Sequence, residues 1–103
     1  MKTIMLVCVA GMSTSLLVNK MQKAAQEQNI GADIFAIAES EVDKTLVSKK
    51  VDVLLLGPQV KYLRSSFEKK YKDMNIPIDV INMTDYGMMK GENVLNFALK
   101  LIG

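Results

Sequence analysis

Cysteine occurs once in these 103 residues, at Cys8, where the apolar run Thr3-Ile4-Met5-Leu6-Val7 gives way to Val9-Ala10-Gly11-Met12-Ser13-Thr14-Ser15. A thiol at such a junction is placed to attack phosphorus. An apolar strand that runs into a small-residue turn and then a helix leaves several backbone N–H groups without intrahelical partners, and these converge on whatever stands at the strand's end. Donors ringed round a thiol favour its thiolate, the form that attacks. The amides of Val9 to Ser15, with the hydroxyls of Ser13, Thr14 and Ser15, suit the three equatorial oxygens of a phosphoryl group in transfer. Gly11 lets the backbone come close to the phosphate. The competing reading of Cys8 is a small buried hydrophobe.

The chain contains no histidine. A Cys-His hydrolase and a phosphorelay complete within one chain are therefore excluded, and any phosphohistidine donor must sit on another protein. One cysteine without histidine also forms no internal disulfide and no structural zinc site, so neither metal nor cofactor is expected and the cytosol is the natural compartment. Thirteen basic residues against 11 acidic ones, a net charge of +2, give no field suited to nucleic acid or anionic lipid. Lys49-Lys50 and Lys69-Lys70 with Lys72 read as solvated helix ends. Met1 to Ala10 superficially resembles a secretory signal, but its apolar stretch of about seven residues is short and poorly built for one. No run approaches the roughly 18 apolar residues of a membrane span.

The elements that must hold Cys8 alternate along one domain, residues 1–103. Residues 3–8 form a strand apolar on both faces, as at the centre of a parallel sheet. Ser13 to Gln28 is a helix with Leu17, Met21, Ala24 and Ala25 inward, closed by the glycine signal of Asn29-Ile30-Gly31. Ala32 to Ala38 is the second strand; Ser40 then caps a short helix with Val42 and Leu46 buried. Asp52 to Leu56 is the third strand, and Gly57-Pro58-Gln59 turns into a helix whose core stripe is Val60, Leu63, Phe67, Tyr71 and Met74. Ile78 to Ile81 is the fourth strand, Asn82 to Lys90 a loop, and Gly91 to Ile102 a last helix with Val94, Leu95, Ala98 and Ile102 inward.

Such alternation implies an α/β fold of three layers, α/β/α, around a four-stranded parallel sheet, with 2-1-3-4 the economical strand order. Ligands of these folds sit beyond the carboxyl ends of the strands where the order reverses. Cys8, Gly57-Pro58-Gln59 and the loop carrying Asp85-Tyr86-Gly87 then share one rim.

Leu6 to Val18, together with Leu55-Leu56-Gly57-Pro58-Gln59-Val60, closely resembles the enzyme IIB component of bacterial phosphoenolpyruvate-dependent sugar phosphotransferase systems, in the lactose/cellobiose/chitobiose class. The resemblance spans essentially the whole chain. It implies that Cys8 becomes a transient S-phosphocysteine. The phosphoryl group would come from a phosphohistidine of enzyme IIA and pass to a disaccharide held by the membrane enzyme IIC, with the chain cytoplasmic and transiently at the inner face of the membrane. Tyr86 resembles that family's tyrosine after the fourth strand. It, Gly57, Pro58 and Gln59 are candidates for the pocket rim or for partner contacts, as Met12 is for an apolar docking surface, and each equally suits ordinary turn structure or packing.

The main competitor is a low-molecular-weight protein tyrosine phosphatase, which shares the topology and uses a Cys-x5-Arg-Ser/Thr loop. Cys8 and Ser15 match that spacing, but Thr14 stands at the arginine position. The chain's only arginine, Arg64, lies in the third helix, and Pro58 and Pro77 follow Gly57 and Ile76 where the phosphatase acid loop has Asp-Pro. An arginine clamp and an aspartic acid are what turn a phosphocysteine over by hydrolysis; without them it persists, as a carrier requires. Thr14→Arg is then expected to strengthen phosphate binding and, with a nearby acid, to hasten hydrolysis of the phosphoenzyme. A redox thiol or a flavodoxin-like binding module is a further alternative. It is weakened by the lack of a second cysteine and of a hydroxyl-rich start to the first loop.

Overall fold

Two central strands buried on both faces organise the molecule. A computed structural model of the chain describes residues 1–8 and 12–103, the side chains of Met12 and Ser13 excepted. Strands β1 (Lys2–Cys8), β2 (Ala32–Ala38), β3 (Val53–Leu56) and β4 (Ile78–Val80) form a parallel sheet in the order β2-β1-β3-β4. The helices are α1 (Met12–Glu27), α2 (Val42–Ser48), α3 (Leu63–Lys70), α4 (Met83–Gly87) and α5 (Gly91–Ile102). The expected three-layer architecture and strand order are both found.

In the two central strands, Ile4 to Val7 and Val53 to Leu56 are fully buried. Successive side chains leave a strand on opposite faces. Ile4, Leu6, Val53 and Leu55 accordingly join the core that contains Leu17, Met21, Val94, Leu95 and Ala98 of α1 and α5. Met5, Val7, Leu54 and Leu56 join the other core, with Val42 and Leu46 of α2 and Leu63 and Phe67 of α3. Each such Leu or Ile contributes about 1.5–3 kcal/mol by leaving water, which is why strands this short hold their register.

Helix α1 buries Thr14, Leu17, Val18, Met21, Ala24 and Ala25, a stripe spaced as a 3.6-residue period requires. Its end is built differently from the glycine stop expected. Asn29, at φ 57°, takes the left-handed position; its N–H donates to Gln26 O at 3.2 Å and that of Ile30 to Ala25 O at 2.8 Å. That pair of bonds is the Schellman closure, and Asn tolerates the left-handed region well enough to replace Gly there. Gly31 starts the approach to β2 instead.

Three further expectations are corrected. Ser40 does not cap a helix: a 3-10 turn, Glu39–Glu41, takes up the chain after β2, and Glu41 precedes α2 with no side-chain capping bond. The third helix is not continuous from the Gly57 turn to Met74. It comprises a 3-10 turn at Pro58–Val60, α3, and a second 3-10 turn at Lys72–Met74 that ends on left-handed Asn75. Val60, Leu63, Phe67 and Tyr71 are buried as expected, but Met74 is 47% exposed, because a 3-10 turn advances three residues per revolution and rotates the stripe off the core. Within Asn82 to Lys90 lies α4, whose start is satisfied by Asn82 Oδ1, which accepts from the N–H of Thr84 at 2.8 Å and of Asp85 at 3.1 Å.

Candidate active site

Cys8 is the last residue of β1, opposite Ala38 of β2. It is 3% exposed. Continuing the series Ile4, Leu6, its side chain leaves the sheet on the α1 side. The chain enters α1 at Met12, and the first turn of that helix contains no acidic residue, so no carboxylate within that turn offsets the positive end of the helix dipole. Val9, Ala10 and Gly11, expected to cradle phosphate, lie outside the described residues, as do the side chains of Met12 and Ser13. Ser15 is exposed on α1.

Thr14 is the one buried polar side chain among the described residues, at 0% exposure. Its Oγ1 lies 3.3 Å from the hydroxyl of Tyr86. Tyr86 is itself 8% exposed, held on α4 by the Asn82 cap. Thr14 was expected to present its hydroxyl to phosphate; the structure places it on the inner stripe against Tyr86. The signal was present in the sequence, since Thr14 precedes Leu17, Val18 and Met21 by three, four and seven residues.

The turn after β3 closes the other side. Gly57 is buried, and its N–H donates to the carbonyl of Val7, the residue before Cys8, at 2.9 Å. A Cβ at this position would lie 3.1 Å from Gln59 Oε1, 3.5 Å from Val7 O and 3.7 Å from Tyr86 Cε2. The tyrosine ring and the end of β1 thus both come within ordinary contact range of this position. Pro58 is half-buried at the start of its 3-10 turn and Gln59 is exposed. Val7 to Gly57, Gly57 to Tyr86 and Tyr86 to Thr14 make a continuous chain of contacts around the end of β1. Thr14, Gly57 and Tyr86 come together beside the end of β1, the strand that Cys8 closes; Ser15 and Gln59 are exposed.

Arg64 is occupied elsewhere. Its Nη1 is 3.3 Å from Asp79 Oδ1 and its Nε 3.7 Å from Glu68 Oε2, so the surface role expected of it stands and it is not a phosphate clamp. Sequence reasoning missed a depression of ≈ 270 Å³ on the carboxyl rim, lined by Ala38, Glu39, Ser40, Val60 and Tyr62. A larger one, ≈ 410 Å³, lies where β4 and α4 meet α5, lined by Ile81, Asn82, Asp85, Val94 and Phe97 beside Val80.

The family model of the lactose/cellobiose-specific IIB subunit of the phosphotransferase system matches residues 3–97. The chain is 51% identical over 104 residues to the galactose-specific EIIB component of Lactococcus lactis subsp. cremoris (strain MG1363), covering 98% of this chain and 96% of that one. It is 50% identical over 104 residues, with the same coverage, to the cellobiose-specific EIIB component of Lactococcus lactis subsp. lactis (strain IL1403). The solution structure of the cellobiose-specific phosphotransferase IIB component protein from Borrelia burgdorferi is similar at a TM-score of 0.78 and 44% identity, with 98% of this chain and 91% of that chain covered. The matched span contains Cys8, the Gly57 turn and Tyr86. The chain therefore belongs to the lactose/cellobiose-specific IIB subunits of the sugar phosphotransferase system, and is a phosphotransferase component of that system.

Proposed function

We propose that Cys8 carries a phosphoryl group from a phosphohistidine of enzyme IIA to a β-linked disaccharide held by membrane enzyme IIC. The observation that carries this is the place of the cysteine: at the carboxyl end of β1, at the point where the strand order reverses, directly before a helix start that lacks acid.

In the first half-reaction the Cys8 thiolate attacks phosphorus in line with the donor imidazole; an S–P bond forms, the P–N bond breaks, and the imidazole leaves with the electron pair and takes up a proton. Amides from Val9 to Ser15 and the hydroxyls of Ser13 and Ser15 stabilise the charge on the equatorial oxygens. Thr14 contributes through its backbone. In the second half-reaction a sugar hydroxyl attacks phosphorus, the S–P bond breaks, the thiolate is regenerated, and a base at the IIC sugar site takes the hydroxyl proton. The chain works as a single IIB domain, cytoplasmic and transiently at the inner membrane face. Among the described residues no helix is long and apolar enough to cross a membrane.

A carrier must outrun water. A buried threonine where a phosphatase has its arginine clamp supports slow hydrolysis. The sugar is selected by the membrane component that holds it, in keeping with nearly equal likeness to a galactose-specific and a cellobiose-specific relative. The test is to isolate the phosphoprotein and divide it between buffer and membranes containing IIC with cellobiose, lactose or chitobiose. Sugar phosphate should form from one of these while the phosphoprotein in buffer persists. Rapid loss in buffer, no sugar phosphate and hydrolysis of an aryl phosphate would replace the carrier with a divergent phosphatase.

A further inference from the structure

Two hydroxyls meet inside the core on the α1 side of the sheet, among neighbours such as Leu17, Val18 and Met21 that are apolar. Thr14, at 0% exposure, and Tyr86, at 8%, are 72 residues apart in sequence, and their oxygens stand 3.3 Å apart. Apolar residues would serve packing there at lower cost, since a buried hydroxyl requires a partner.

The pair joins the elements that surround Cys8. Thr14 lies in the first turn of α1, where N–H groups without intrahelical partners point out of the helix end. Tyr86 is fixed on α4 by the two bonds to Asn82 Oδ1 and by its own N–H, which donates to Asn82 O at 2.9 Å. Its ring edge reaches the Gly57 position, and Gly57 is bonded to Val7. One side chain thereby references the start of α1 to both the end of β1 and the turn after β3.

Building on the carrier function above, we infer that Tyr86 is a positioning residue for phosphoryl transfer, its hydroxyl holding Thr14 and with it the first turn of α1 in register with the sulfur of Cys8. Transfer is sensitive to this register because the stabilising groups must lie where charge develops. The oxygen separation is longer than the roughly 2.7–2.8 Å commonest between hydroxyls, so the expected effect is that of one ordinary hydrogen bond.

The experiment uses the full chain as wild type, Tyr86→Phe, Thr14→Val and the double variant, each of which keeps side-chain shape. Single-turnover transfer from phosphorylated IIA is followed against donor concentration, beside thermal unfolding. Each single variant should lower the saturating rate about two- to tenfold. The donor concentration for half-saturation should stay unchanged, and the double variant should be no slower than either single one, as for two groups acting as a unit. A wild-type saturating rate in the variants overturns the inference, whatever their stability. A change confined to half-saturation makes Tyr86 a partner contact and overturns it too, as do independent effects that multiply. If the wild type takes no label from active IIA, the carrier function itself fails and this inference with it; label on the wild type with unaltered variants defeats the inference alone.

Discussion

Replacing Gly91 by alanine should loosen the molecule and slow the site at once. Gly91 is the first residue of α5 and lies directly on α1; an added Cβ would stand 2.6 Å from the carbonyl carbon of Lys20, 2.7 Å from its Cβ and 2.7 Å from the N of Met21. Carbon atoms pack at about 3.5–4.0 Å, so the two helices would have to separate by about 1 Å. Little can yield, because the obstructing atoms are mostly backbone and both helices are anchored in one core through Met21, Val94 and Leu95. Overpacking of this kind costs about 1–3 kcal/mol, and alanine's advantage over glycine, at most about 1 kcal/mol inside a helix, is smaller at a first helical position. With 4–8 °C lost per kcal/mol in a domain of this size, Tm should fall by roughly 5–20 °C. Because α1 begins at the site, its displacement should also slow phosphoryl transfer, by up to about 100-fold for a 1 Å misplacement. Calorimetry and single-turnover transfer are the assays, with Gly31→Ala and Gly87→Ala as controls, since nothing lies within 4 Å of a Cβ at either. Both controls should stay within about 0.5 kcal/mol of wild type or gain slightly. A Gly91→Ala protein that melts with the controls and transfers at the wild-type rate would refute this account of the α1–α5 contact.

Burial, followed by its bond to the Asp43 carboxylate, pushes Tyr71 up to about 12, while bonds from Lys70 and then Tyr71 hold Asp43 below its ordinary value. A folded tyrosine that ionises later than the unfolded one loses stability as pH rises from about 10 to about 12; denaturant titrations should show a loss of about 2–3 kcal/mol across that window, reduced in Tyr71→Phe, where only Lys70, also raised by its bond to Asp43, still contributes. An equal loss in both proteins would contradict the assignment. Thr14→Arg, attractive from the sequence, should destabilise by at least about 2 kcal/mol, because it forces a charge into a site at 0% exposure. Increased inorganic phosphate affinity at undiminished Tm would show that the arginine reaches the loop after all. Asn29→Ala should cost about 1 kcal/mol by placing a Cβ-bearing residue without Asn's local bonding at φ 57°, and Asn29→Gly should be at least as stable as wild type; urea midpoints in the reverse order would remove the Schellman closure as the reason for Asn29.

The layers and strand order were legible because they follow from patterns with one physical cause each: continuous apolar runs for central strands, and a 3.6-residue period for α1 and α5. Short-range competition was less legible. Nothing in Glu39-Ser40-Glu41 distinguishes a helix cap from a 3-10 turn, and Met74 fits a helical stripe that the chain overwinds before reaching it. Helix α4 spans five residues, too few for periodicity, and its cue was the capping Asn82. At the site, Cys8 and Gly57 stand out by residue type, whereas the approach of Tyr86 to Thr14 depends on packing between α4 and α1 that no local pattern encodes. Thr14 also shows how a motif can hide a stripe: within Ser13-Thr14-Ser15 it looks like one of three phosphate-binding hydroxyls, yet its register with Leu17, Val18 and Met21 sends it inward.

The most direct test of Cys8 as the phosphoryl carrier is the intact mass of wild type and Cys8→Ser after incubation with phosphoenolpyruvate, the general phosphotransferase proteins and an active IIA. A single added phosphate on the wild type alone, with the pH stability of a thiophosphate, is the expected result. Equal labelling of Cys8→Ser, or no label on the wild type from a IIA shown to be phosphorylated, would contradict it.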